Sequence, residues 1–135
     1  MNILHIMPYS PVPPTFGGAL REYYLLKSLT REHTVTTLTF GTEEQLALFK
    51  EDFGDLVKDV HMIKPPWKRT WKRLGQLCSL GSSQSYAHLT SYCKRMQQKI
   101  DELLSSGQFD AVHCEFSVMC GYEFREDLLR IVNTH

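Results

Sequence analysis

Residues 2–29 restrict what this chain can fold into more than any other stretch. Asn2–Met7 reads N-I-L-H-I-M, an apolar run with His5 as its one polar interior residue. A run of this kind predicts a strand covered on both faces, as in the middle of a parallel sheet. Pro8, Pro11, Pro13 and Pro14 follow. Each lacks a backbone N–H and has a fixed φ, so strand and helix both stop there and an irregular loop takes over. Gly17-Gly18 closes the loop. Ala19–Arg31 then predicts a helix, with Leu20, Tyr23, Tyr24, Leu26 and Leu29 recurring at three- and four-residue steps. Strand, glycine loop and helix start together form an anion-holding device. The first N–H groups of a helix are unpaired and carry its positive dipole end. A glycine, having no Cβ, lets a phosphate come close to the backbone. The pattern is neither G-x-G-x-x-G nor a Walker loop, and a glycine pair before a helix is also an ordinary tight turn.

The rest of the chain keeps alternating. His33–Phe40 is rich in β-branched residues and predicts a second strand. Thr42 is placed to cap a helix through about Lys50, with Glu43 and Glu44 in its first turn, where negative charge is favoured. Asp59–Lys64 predicts a third strand, closed by Pro65-Pro66. After a polar linker, Ser79–Ser85, a helix is expected over Ser85–Leu104. Its stripe of Tyr86, Leu89, Cys93, Met96, Ile100 and Leu103 reads as a core-facing side. Gly107 stops it. Phe109–Cys114 predicts a fourth strand with Glu115 at its carboxyl end. Ser117–Leu128 reads as a short helix and Leu129–Asn133 as a fifth strand, ending in Thr134-His135.

Such alternation implies an α/β fold: a Rossmann-like parallel sheet of about five strands in order 3-2-1-4-5, helices on both faces, and right-handed crossovers. The first strand is then central, with the switch point between strands one and four. Gly17-Gly18, Glu115 and His135 are expected along one edge. His5 and His113 read as satisfied core or strand-edge residues.

The 135 residues fit one domain. Fifteen basic and fifteen acidic side chains cancel, which argues against a dedicated nucleic-acid binder. The four cysteines, Cys78, Cys93, Cys114 and Cys120, form no C-x-x-C pair. Zinc is therefore not expected, and free thiols in a reducing compartment are. The N-terminus has no basic n-region, and no run approaches about 18 apolar residues, so neither a signal peptide nor a membrane span is expected. The expected location is cytoplasmic, with one peripheral contact in view. Lys64–Arg73 (K-P-P-W-K-R-T-W-K-R) packs five basic residues and two tryptophans into ten positions without an acid. Trp67, Lys68, Arg69, Trp71, Lys72 and Arg73 suit an anionic headgroup or a charged acceptor. The competing reading is a surface loop whose tryptophans pack under the domain.

Several stretches together resemble the N-terminal domain of family 4 glycosyltransferases with the GT-B fold. They are Met1–Pro11, Gly17-Gly18, Leu25–Leu29 (L-L-K-S-L) and Glu32–Val35 (E-H-T-V), then Phe109–His113 (F-D-A-V-H) with Glu115, and Ile131–His135 (I-V-N-T-H). The likeness covers nearly the whole chain in outline and is specific over residues 2–36 and 109–135. It implies a retaining transfer of a sugar from a nucleotide-diphosphate sugar to an acceptor, with no metal and no other cofactor. It further implies that Gly17 and Gly18 approach the donor phosphates, that Glu115 borders the cleft, and that His135 is the catalytic histidine beside the donor sugar. The GT-B fold pairs two such domains. The resemblance therefore makes this chain a single, incomplete acceptor-side half, with the C-terminal donor-binding domain absent and the chain inactive alone. The alternatives are a dinucleotide-binding oxidoreductase domain, with Glu43 near a ribose, and a non-catalytic nucleotide- or protein-binding module. The missing G-x-G-x-x-G counts against the first.

The basic tryptophan stretch has a direct test in co-sedimentation with anionic and neutral liposomes. The anionic vesicles are expected to retain the protein, and Lys68→Glu/Arg69→Glu to release it. Equal retention by both vesicle types would leave only the loop reading.

Overall fold

A computed structural model describes residues 1–65, 92–106 and 108–134. Trp67, Lys68, Arg69, Trp71, Lys72, Arg73 and His135, together with the first part of the expected 85–104 helix, lie outside the described residues. The described elements are β1 (Asn2–Met7), α1 (Gly17–Glu32), β2 (Thr34–Phe40), α2 (Glu43–Phe53) and β3 (Asp59–Ile63), then α3 (Lys94–Ser105), β4 (Ala111–Glu115), a 3-10 turn (Ser117–Gly121) and β5 (Leu129–Asn133).

The five strands form one sheet in order β3-β2-β1-β4-β5, and all neighbours pair in parallel. This is the expected Rossmann-like α/β arrangement with β1 in the middle. The register sets Leu4 between Thr36 and Val112, and His5 between Thr37 and His113. The Asn2 N–H donates to Asp110 Oδ2 at 2.7 Å, and the Asp110 N–H donates back to the Asn2 carbonyl at 2.9 Å. That exchange fixes where β4 starts against β1.

Side chains alternate across a strand, so each face receives its own core. Leu4, Ile6, Leu38, Phe40, Val112 and Cys114 pack with Met96, Ile100 and Leu104 of α3. Met7 and Val35 pack on the opposite face with Leu26 of α1 and Phe49 and Phe53 of α2. Helices therefore cover both faces, as the apolar run of β1 requires.

Several elements differ from expectation. α1 begins at Gly17 and buries Ala19, Glu22 and Leu26, while Leu20 and Tyr24 stay exposed. The buried stripe is thus rotated from the apolar one, because a carboxylate at Glu22 finds polar partners inside. α2 runs to Phe53, three residues past Lys50. A capping box starts it: Thr42 Oγ1 accepts from the Gln45 N–H while Gln45 Oε1 accepts from the Thr42 N–H. Tyr92 and Cys93 do not continue a helix. Cys93 is extended, and its N–H donates to Tyr122 Oη at 3.0 Å, so α3 starts at Lys94. The expected 117–128 helix shrinks to the 3-10 turn, which ends at Gly121, and Tyr122 turns inward to meet Cys93. Among the described residues, no helix is long and apolar enough to cross a membrane.

Leu4 is fully buried at the centre of the α3-side core. Leu4→Ala is expected to cost roughly 2–5 kcal/mol of unfolding free energy, read from urea denaturation midpoints. A loss below about 1 kcal/mol would contradict this packing.

Candidate functional site

The site is built where β1 and β4 part at the carboxyl edge of the sheet, the position where open α/β sheets take ligands. The loop after β1 turns on Ser10, whose Oγ lies 2.9 Å from the Val12 carbonyl, and returns the chain to Phe16. Phe16 is the extended N-cap of α1, and no side chain caps that helix or places an acid in its first turn. Gly17 and Gly18 are thus the first two helical residues, with their N–H groups at the positive end of a 16-residue helix. The two glycines differ. A Cβ on Gly17 would meet nothing within 4 Å, whereas one on Gly18 would lie 2.4 Å from Tyr9 Oη and 3.0 Å from Phe16 Cε2. Gly18 gives its space to the Tyr9 hydroxyl, and Gly17 leaves its space open. Tyr9 in turn packs against Phe16 and Phe116, with ring centroids 4.9 Å and 5.5 Å away.

Beneath this edge lies a polar cluster drawn from four elements. β1 supplies His5, α1 supplies Arg21 and Glu22, β4 supplies His113 and Glu115, and β5 supplies Asn133. Arg21 Nη1 donates to Glu22 Oε1 at 2.9 Å and to Glu115 Oε2 at 3.0 Å. His113 Nε2 is 3.3 Å from Glu115 Oε1, which also accepts from Asn133 Nδ2 at 3.2 Å. The two imidazoles meet Nδ1 to Nδ1 at 3.1 Å, and His5 Nε2 faces Glu22 Oε2 at 3.5 Å. The side chains of His5, Glu22 and Glu115 are fully buried, and that of Arg21 is 38% exposed. The cluster closes on itself: arginine, carboxylate, imidazole, imidazole, carboxylate, arginine.

Burial dominates its electrostatics. It pulls His5 down to about 4, against the raising field of Glu115. It also pulls His113 down to about 4, helped by His5. Both rings are therefore neutral near pH 7, and their shared Nδ1 contact requires one ring to donate and the other to accept. Burial pushes Glu115 up, but hydrogen bonds from Glu22, Arg21 and Asn133 outweigh it and hold the carboxyl below its ordinary value. Tyr9 is pushed up to about 12 by burial and by the carboxylates of Glu22 and Glu115, so its hydroxyl stays protonated.

β4 leaves the site through Phe116, whose φ of 66° is rare for an aromatic residue. Its N–H donates to the Asn133 carbonyl at 2.9 Å. A bulky side chain held there costs on the order of 1–3 kcal/mol. The kink ends β4 directly after Glu115.

Glu115 reaches the expected edge but turns inward, so its carboxylate lies beneath the surface. His5 and His113 are core residues, as read from sequence, yet they hydrogen-bond each other inside a charged cluster. Arg21, Glu22 and Asn133 have no expected role in the sequence reading. The available signal was Glu22 at the spacing of Ala19 and Leu26, a charge on a helix face that must pack on a sheet. Among the described residues, no group of three His, Cys, Asp or Glu side chains is disposed to hold a metal ion.

No family model matches the chain, and comparison with curated proteins gives no match either. Among solved structures, the chain is similar to the C-terminal domain of a Pyrococcus furiosus hydrogenase, with a TM-score of 0.55 and 19% identity over 99% of this chain and 90% of that one. A likeness at that identity speaks for the fold alone.

The two buried histidines give stability a defined pH dependence. Their folded pKa values lie below the unfolded value of 6.5, so below that pH the unfolded chain binds more protons and stability falls. The half-buried His61 adds in the same direction. Glu115 contributes its loss only below its unfolded value of 4.5, so the interval between these two values isolates the imidazoles. Each proton of difference is worth about 1.4 kcal/mol per pH unit at most. Urea midpoints are expected to drop with acidification over this interval, and to drop less steeply in His113→Gln. An unchanged slope in the variant would show that His113 is not held neutral.

Proposed function

We propose that this chain is the acceptor-side, N-terminal-type domain of a retaining glycosyltransferase of the GT-B kind, handling a nucleotide-diphosphate sugar without a metal. One observation carries the reading: an uncapped helix N-terminus opening on Gly17, directly after the central strand and at the switch point of a 3-2-1-4-5 sheet. An anion there meets free N–H groups and the positive dipole end. The donor diphosphate is assigned to Gly17 and Gly18. His135, two residues past β5 in the sequence, is assigned as the catalytic group, and Glu115 as a support beneath the cleft. A second domain of the same kind would complete the cleft. The acceptor is a sugar or a lipid-linked molecule, which the basic Lys64–Arg73 stretch would meet at a cytoplasmic membrane face.

The Tyr9 hydroxyl beside Gly18 favours a second reading. A loop filled by its own side chain suits a non-catalytic nucleotide- or protein-binding module.

Calorimetric titration with UDP-glucose and GDP-mannose separates the two. Weak but saturable binding is expected for the transferase domain, because the other half of the cleft belongs to a second domain. Gly17→Val is expected to weaken it on the order of 10-fold while keeping the melting temperature, because its side chain enters open space on the phosphate's path. Gly18→Ala is the poorer probe, since it must displace Tyr9 and is expected to lower stability by about 1 kcal/mol. Failure of both sugars to bind, or Gly17→Val binding like the parent, would remove the donor-site assignment.

A further inference from the structure

We infer that β5 is a dimerisation edge, at which two copies of this chain join their sheets by antiparallel pairing of β5 with β5 about a two-fold axis through Ile131. The inference goes beyond the activity proposed above and does not depend on it.

The backbone of β5 leads there first. The Leu129 N–H donates to the Asp110 carbonyl at 3.4 Å, and the Asn133 carbonyl accepts from the Phe116 N–H at 2.9 Å. A parallel ladder uses alternate residues of each strand, so Leu129, Ile131 and Asn133 direct their backbone groups at β4. Arg130 and Val132 direct theirs away from it. Among the described residues no strand lies beyond β5 to meet them. The side chains are uncovered too. Leu129 is 54% exposed, Ile131 41% and Val132 47%, and they project from both faces of the sheet because side chains alternate along a strand.

The opposite border is closed to this kind of contact. The Ile63 carbonyl accepts from the Gly41 N–H at 3.1 Å and so faces β2, which turns Val60 outward. The Val60 N–H is already taken by Asp59 Oδ1 at 2.8 Å, and Asp59 and His61 bring charge to that border. β5 has no such guard. Its one charged side chain, Arg130, is folded back along the chain, where Nη2 donates to the Phe124 carbonyl at 3.0 Å and to the Arg125 carbonyl at 3.3 Å.

The occupant that matches this edge is the edge itself. With a two-fold axis at Ile131, Arg130 lies opposite the partner's Val132, and Val132 opposite the partner's Arg130. Each pair exchanges N–H and carbonyl in both directions, so every outward backbone group of Arg130 and Val132 is used in both copies. Ile131 becomes the closely spaced, non-hydrogen-bonded pair on the axis, with its Cα about 4.5 Å from that of the partner's Ile131. Val132 covers the aliphatic stem of the partner's Arg130. Parallel pairing in register would instead set Arg130 beside the partner's Arg130, where like charges repel. In the antiparallel dimer the carboxyl edges that carry Gly17 open in opposite directions, so the candidate site of each copy stays uncovered.

A strand pair this short buries less than the roughly 1,200 Å² of a stable interface, so the dimer is weak, with a dissociation constant on the order of 10–100 µM. Sedimentation of the whole chain from a few to several hundred micromolar tests it, with monomer giving way to dimer as the expected result. Val132→Pro removes one outward N–H and leaves the β4 ladder intact. Ile131→Lys sets two ammonium groups together on the axis. Each is expected to weaken association at least about 10-fold while circular dichroism shows a folded chain. Register is read by oxidative cross-linking, over the background that the exposed Cys120 gives in the parent. Ile131→Cys is expected to form a disulfide-linked dimer, because its spacing on the axis suits that bond. Leu129→Cys, about 14 Å from its equivalent, is not. Equal cross-linking by the two cysteine variants overturns the two-fold register, even if Val132→Pro and Ile131→Lys fail to fold. A dimer that persists in folded Val132→Pro overturns the edge pairing in favour of a contact elsewhere on the surface. A monomer at every concentration overturns the proposal and leaves the edge to a different chain.

Discussion

Parallel pairing of β1 on both of its edges is the constraint on which the rest depends. A strand with neighbours on each side and a helical layer over each face has no route to water. Each of its side chains must be apolar or matched. Leu4 and Ile6 meet the α3 layer, and Ile3 and Met7 are buried as well. His5 cannot be satisfied by any apolar neighbour, so the structure builds a polar interior around it. His113 comes from the paired position on β4 and Glu22 from the helix above. Arg21 and Glu115 close the circuit. The cluster is the consequence of placing one imidazole in the central strand.

Much of the fold was legible in the sequence because burial has a periodic signature. The apolar run of β1, the β-branched run of β2 and the Gly-Pro punctuation mark out the strands and give their order. Helix ends were less legible. Cys93 is extended because Tyr122, 29 residues away, accepts its N–H, and no local pattern announces such a bond. The face of α1 was misjudged for a related reason. Hydrophobic spacing favoured Leu20 and Tyr24, but Glu22 is buried through partners that lie on other elements, 17 residues away at His5 and 93 at Glu115. A polar cluster is a tertiary object, and its members look like ordinary polar residues until the strands come together.

The site was therefore half visible. Gly17-Gly18 and Glu115 were legible by position alone, the glycines after the loop that leaves β1 and Glu115 as the last residue of β4. What distinguishes Gly17 from Gly18 was not visible, because Tyr9 fills one space and leaves the other open. The separation of roles within the cluster is electrostatic. Four members, His5, Glu22, His113 and Glu115, are buried, and the exposed Arg21 is held by the buried acids at a fixed place. Pre-positioning of this kind reduces the ordering that a ligand must impose on the protein.

The two borders of the sheet are unlike each other. β3 runs along one with Asp59 and His61 on it, and Lys64 follows, pairing with Glu43 at 3.3 Å. Charges on an outer strand discourage another chain from adding to the ladder. β5 runs along the other and exposes Leu129, Ile131 and Val132, with Arg130 as the one charge within the strand. Among the described residues nothing pairs with its outer backbone. An apolar, unpaired border of this kind is a template for strand addition, the opposite of the charged β3 side.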